Sequence, residues 1–247
     1  MGSVWKREAG LWAGAAVMGL GGGLAYKQWA TKNYGGAAKD LLAEAKELRA
    51  TAQPALAAWK FRECLDLVEA HGGAYQRQTA HTAMLAQAVA TTLEEAAEAE
   101  APGSRRRAEY LADSEAHWQK AVDAAPPRHE LRAVALDRLA SYAQERGDLS
   151  RAGSLYSQAV RTLASPEEID KGAESLRGNA MELAGIMHNF ATCIYEESGD
   201  RHKAYLVLDQ TNKVCGVVED AARRADCEAR VQELRAHLAR THARKAS

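Results

Sequence analysis

The stretch that most constrains this chain is LRAVALDRLASYAQERGDLSRAGSLYSQAVRTLA, from Leu131 to Ala164. Leu136, Leu139, Ala140 and Ala143 recur at i, i+3, i+4 and i+7, which is one apolar stripe of a helix. Gly147-Asp148 interrupts the pattern. Beyond it Leu149, Ala152, Tyr156, Ala159, Val160 and Leu163 form a second stripe. The segment therefore predicts two antiparallel helices. Ala140, Ala152 and Ala159 mark where they approach closely, and Leu136, Leu139 and Tyr156 fill the space between. Alanine is abundant, only 2 Phe occur, and β-branched runs are missing, so the whole chain is expected to be all-α.

The order of residue types in this hairpin resembles one tetratricopeptide repeat (TPR): a large residue, Leu, a small residue, Gly-Asp, then Ala-x3-aromatic-x2-Ala. Leu136, Leu139, Ala140, Gly147, Ala152, Tyr156 and Ala159 occupy those slots. Two slots depart: the first-helix aromatic is Tyr142, one residue early, and the closing Pro166 is two residues late. Gly199-Asp200 repeats the punctuation 52 residues on, with Ala204, Leu208 and Thr211 in the second-helix slots and Ile186, Phe190, Ile194 and Tyr195 before it. A TPR unit is about 34 residues, so 166–180 reads as an insertion. It is opened by Ser165-Pro166-Glu167-Glu168, a strong helix start, and a break is expected near Gly178. Residues 37–71 form a weaker hairpin. Ala37–Thr51 carries Leu41, Leu42, Ala45 and Leu48, and a helix from Pro54 carries Ala57, Phe61, Cys64, Leu65 and Val68. Between them and the central hairpin, Tyr75–Glu98 shows an inner side of Met84, Leu85, Ala88, Val89 and Thr92. A helix with Leu111, Ser114, Trp118, Ala121 and Val122 follows and ends at Pro126-Pro127. Glu94, Glu95, Glu98 and Glu100 stand opposite Arg105, Arg106 and Arg107 as a solvated charged tip. Val218–Ala243 is the last amphipathic helix, with Ala221, Ala222, Ala225, Val231, Leu234 and Leu238 inside, and would cap the open end of a solenoid.

The beginning of the chain has a different character. Ala9–Tyr26 carries no charge, and as a helix it would span about 27 Å, close to the hydrocarbon thickness. Trp5, Trp12, Tyr26 and Trp29 suit the two interfaces, and Lys27 and Lys32 suit the headgroups. A secretory signal lacks an A-x-A site after the apolar region. A myristoylation signal needs Ser or Thr where Lys6 stands. A buried soluble helix would be unusually rich in glycine. A transmembrane anchor over about 9–26 is thus expected, within a segment 1–32, followed by a linker 33–36 and a TPR-like domain 37–247. Gly10 and Gly14, like Gly19 and Gly23, have the spacing that lets membrane helices pack backbone to backbone.

A net charge of -1 among 247 residues argues against a nucleic-acid partner. Of the 4 Cys, none forms a C-x2-C pair, so no metal site is indicated. Cys64 and Cys193 fall in helical patterns as buried thiols. A bridge between Cys215 and Cys227, which could meet across a helical turn, is the less favoured reading. There is no phosphate loop, no G-x-S-x-G, no H-E-x-x-H and no EF-hand loop, so neither catalytic residues, nor a cofactor, nor a small-molecule substrate is expected. The exposed groove of the two best hairpins would comprise Asp137, Ser141 and Gln144, then Asn189, Cys193 and Glu196. These lack the Lys–Asn carboxylate grip of TPR chaperone co-factors. His188 is expected to pack or to line that groove.

The resemblance implies a helical scaffold that binds protein. The layout looks like that of TPR proteins attached to the respiratory chain. It points to a non-catalytic accessory or assembly subunit of a large membrane complex, with a mitochondrial inner-membrane respiratory or ATP synthase assembly favoured. Its partners would be other subunits and membrane lipid. An anchored bacterial-type factor of the Sec translocon has a similar plan. A free organelle-surface adaptor is a third reading, although those usually carry the anchor at the other end.

Overall fold

A computed structural model describes residues 35–71, 80–172 and 174–246. Among them there are ten α-helices, one 3-10 helix and no strand, as the composition predicts. The helices are α1 (Gly35–Ala50), α2 (Pro54–His71), α3 (Ala80–Ala99), α4 (Arg105–Ala124), α5 (Glu130–Glu145), α6 (Leu149–Leu163), α7 (Pro166–Lys171), α8 (Ala180–Ser198), α9 (Arg201–Gly216) and α10 (Ala221–Ala246), with the 3-10 turn at Glu174–Asn179. The anchor expected over 9–26, with Gly10, Gly14, Gly19 and Gly23, lies outside the described residues. Among those that are described, no helix is long and apolar enough to cross a membrane. The chain divides into two compact units between Ala135 and Leu136, within α5.

In the first unit consecutive helices pack as hairpins, α1 on α2, α2 on α3 and α3 on α4. Ala38 and Ala45 are fully buried, as are Ala57, Cys64 and Leu65 of α2. The inner residues foreseen for α3 hold only in part. Leu85, Val89 and Thr92 are buried, but Met84 and Ala88 are half-exposed, whereas Ala83, Ala86, Gln87, Ala90, Leu93, Ala96 and Ala97 are covered too. This helix is sandwiched between α2 and α4, and its alanines let both come near. A periodicity argument that assumes one buried face cannot register that. Across the α3–α4 hairpin, Trp118 Nε1 donates to Glu94 Oε1 at 2.8 Å and Ser114 Oγ donates to the Ala90 carbonyl at 3.0 Å. Glu95 takes Arg49 of α1 at 3.0 Å, and Arg105 pairs with Glu109 in its own helix. Glu94 and Glu95 thus bond into the bundle, while Glu98, Arg105 and Arg106 stay exposed as expected of the tip.

The second unit is built on a core that includes Leu183, Met187, Leu208, Val214, Leu234 and Leu238. The two Gly-Asp pairs do the same work. Gly147 and Gly199 have φ of 80° and 66°, the left-handed region that a residue without Cβ enters cheaply. Asp148 and Asp200 then cap the next helix, each accepting a backbone N–H three residues on, from Arg151 at 3.2 Å and Lys203 at 3.0 Å. Ser165 and Glu168 form the reciprocal capping box expected of α7. The break in the inserted segment comes at Gly172 (φ 57°), earlier than Gly178, because α7 ends there in a left-handed cap. Gly185 sits inside α8 without interrupting it. The last helix begins at Ala221, after Asp220 caps it, so Val218 is buried in the turn before it. Val231, Leu234 and Leu238 face inward as foreseen, but Ala221, Ala222 and Ala225 are exposed and Cys227 takes the inner position. Cys227 is joined to Cys215 of α9 by a disulfide, contrary to the favoured expectation. The inward stripe of α10 thus runs through Cys227, Val231, Leu234 and Leu238, and the three alanines lie off it.

Candidate functional site

The residues nominated for a groove come together in the second unit, on α5 and α8. Asn189 Nδ2 donates to Asp137 Oδ1 at 3.0 Å, and Gln144 Nε2 donates to Glu196 Oε2 at 2.6 Å. Each pair is 52 residues apart, the same interval as between the two Gly-Asp pairs. Helices α5 and α8 thus lie side by side with corresponding positions in contact. Between those two links, Tyr156 OH of α6 donates to Gln144 Oε1 at 2.9 Å and stands 3.3 Å from Ser141 Oγ. Each hydroxyl has one hydrogen. With the tyrosine's given to Gln144, Ser141 donates either to the tyrosine oxygen or to the Asp137 carbonyl at 3.1 Å. Four side chains from three helices are joined in one chain of bonds, Ser141–Tyr156–Gln144–Glu196.

This arrangement corrects the groove expectation. Asp137 and Cys193 are buried, Ser141, Gln144 and Asn189 are half-buried, and Glu196 alone of the six is exposed. Asp137 is occupied with Asn189 and Gln144 with Glu196, because the faces that bear them meet. Cys193 directs its Sγ–H at the Leu149 carbonyl, 3.5 Å away, and burial pushes its thiol up to about 11, with Glu197 and Glu196 adding to the effect. Asp137 is the costly member. Burial raises its pKa above the usual carboxylate range, while the Asn189 bond and the Arg138 charge pull the other way. Burial also raises the Tyr156 phenol, and the nearby Asp137 charge raises it further. His188 is pushed down to about 4 by burial and then by Arg230, so it is neutral at pH 7.

The core slots of the two hairpins fall as follows. Leu136, Leu139, Ala140, Ala152, Tyr156, Ala159 and Ala204 are all at most 3% exposed, while Gly147 and Gly199 sit at the exposed turns. A second feature lies at the other end of the same unit. A polar hollow of about 420 Å³ is lined by Gly172, Glu174, Arg177, Val217, Glu219 and Arg224. Its arginines are engaged: Arg177 with Glu174 at 3.0 Å and Glu219 at 3.3 Å, Arg224 with the Val218 carbonyl at 3.0 Å. Among the described residues no group of three or more His, Cys, Asp or Glu is placed to hold a metal ion. Sequence reasoning missed the Tyr156–Gln144 link and the disulfide. For the disulfide a signal existed, since Cys227 precedes Val231, Leu234 and Leu238 by i+4, i+7 and i+11 and so extends their stripe.

No family model matches the chain, and no curated protein matches it.

Proposed function

We propose that this chain is a non-catalytic protein-interaction scaffold of TPR-like helical hairpins, tethered to a membrane through 9–26. In this reading it is an accessory or assembly subunit of a large membrane complex, with a mitochondrial inner-membrane respiratory or ATP synthase assembly favoured. The observation that carries the reading is the register of α5 and α8. Their contacts at Asp137–Asn189 and Gln144–Glu196 keep the interval of the two Gly-Asp turns. Stacked repeats bring equivalent positions of neighbouring units side by side in this way, and such stacks serve as binding surfaces for protein. The anchor supports the membrane setting on composition alone. Its glycines fit a helix that docks on other membrane helices, since a helix facing only lipid gains nothing from residues that weaken it.

Two measurements test this. Alkaline carbonate extraction should leave the full-length chain in the membrane pellet, and its release to the supernatant would remove the anchor. On a native gel in mild detergent the chain should co-migrate with a large complex. Replacing Gly14 and Gly19 by Leu keeps the segment apolar but blocks close approach, so the double variant should lose that co-migration while staying in the pellet. A wild-type chain that runs alone at its own mass would instead favour the free-adaptor reading.

A further inference from the structure

Helix α10 packs on α9 in the second unit. Along residues 221–241 the buried residues are Cys227, Val231, Leu234 and Leu238, and the remainder is mainly charged residues and alanine. Two further ties fix its middle. Tyr205 OH donates to the Arg235 carbonyl at 3.2 Å, and Arg235 pairs with Asp209. Nearer its start the tie is covalent. Cys215, fully buried in the last turn of α9, is bonded to Cys227, which is 6% exposed, across a Cα–Cα distance of 5.7 Å. The bond closes over the turn Val217–Asp220, which Arg224 also braces by donating to the Val218 and Glu219 carbonyls.

The other two cysteines are placed differently. Cys64 lies in the first unit with its Sγ 3.8 Å from the Ala38 carbonyl, and Cys193 lies in α8 against the Leu149 carbonyl. Both are buried and keep their thiols. The four cysteines are thus sorted into one joined pair in the core and two thiols sealed apart.

Disulfides persist where the surroundings are oxidising and are rare where glutathione and thioredoxin keep thiols reduced. We propose that Cys215–Cys227 forms in the cell as a structural staple for α10, and that residues 35–246 accordingly lie in an oxidising compartment. Taken with the anchor, and resting on that reading for this clause alone, the helical region is on the membrane side away from the reducing compartment. The chemistry balances with an oxidised dithiol carrier. One cysteine thiolate attacks the carrier disulfide to give a mixed disulfide and a carrier thiolate. The second cysteine thiolate then displaces the carrier sulfur. Two protons and two electrons leave the cysteines, and the carrier departs as its dithiol. Once α10 is docked the sulfurs are shielded, so the bond closes before or while the helix packs.

The test counts thiols in the full-length chain. Native membranes are quenched in acid, denatured and treated with a polyethylene glycol maleimide, with and without prior reduction. Two additions before reduction and four after are expected. The Cys215→Ser, Cys227→Ser double variant should show two in both lanes. Four additions without reductant would overturn the proposal, and that result needs no variant to fold. The two readings separate cleanly. Carbonate release together with two additions would remove the anchor and leave the staple, whereas pellet retention together with four additions would do the reverse.

Discussion

Asp137 is the residue whose chemistry and position conflict most. Its carboxyl group is buried against α8, with the Asn189 amide donating to one oxygen. Its folded pKa is raised, so stability is fully present below the usual carboxylate pKa and is lost as pH rises through the raised value. Asp137→Asn keeps an acceptor for Asn189 and removes the buried charge. The variant should melt above the wild type near pH 7, and the gain should vanish as pH falls into the ordinary carboxylate range. A difference that is constant with pH would mean that the charge is not the cause. Ala152 tests close packing instead. It is fully buried near the start of α6, so a larger side chain must displace its neighbours. Ala152→Leu should lower stability by about 1–3 kcal/mol, read as a lower melting temperature. An unchanged melting curve would contradict the packing of α6 described above.

At the scale of elements, the boundaries depend on few residues. Beyond its two chain neighbours nothing stands within 4 Å of where a side chain at Gly147 would begin, so a substitution there is opposed by backbone conformation and not by crowding. Gly147→Ala should cost about 1 kcal/mol. Gly147→Asn should recover part of that, because Asn tolerates the left-handed region. Equal losses for both variants, measured by denaturant unfolding, would point to something other than φ. Helix α10 makes the second case. A disulfide typically contributes about 2–4 kcal/mol. Reductant at a denaturant concentration just below the transition should therefore release α10 first, making its arginine bonds sensitive to trypsin before Arg151 and Arg161 of α6 and Arg201 of α9. Simultaneous cleavage throughout would mean that α10 does not depend on the bond.

For the molecule as a whole, the all-helical class, the Gly-Asp turns, the Ser165–Glu168 capping box and the buried set Leu136, Leu139, Ala140, Ala152, Tyr156 and Ala159 were legible in the sequence. Each depends on interactions within a few residues along the chain: helical periodicity, a left-handed glycine, a side chain reaching back one turn. The candidate site was legible as a set of residues but not as an arrangement. Asp137, Ser141, Gln144, Asn189 and Glu196 were placed on an open face, and the structure turns that face onto a neighbouring helix. The even burial of α3 was beyond local reasoning for the same cause, whereas Cys227 in the stripe of Val231, Leu234 and Leu238 was a local signal for the bond to Cys215. Periodicity gives the direction in which a helix is apolar. How many neighbours it has, and which rotation they impose, depends on helices that are distant in sequence. The amino-acid order by itself determined the helical class, the Gly-Asp turns, the capping box and the stripe that the central hairpin buries. Only the tertiary structure decided which helices share those stripes, because that choice rests on the packing of surfaces brought together across the chain.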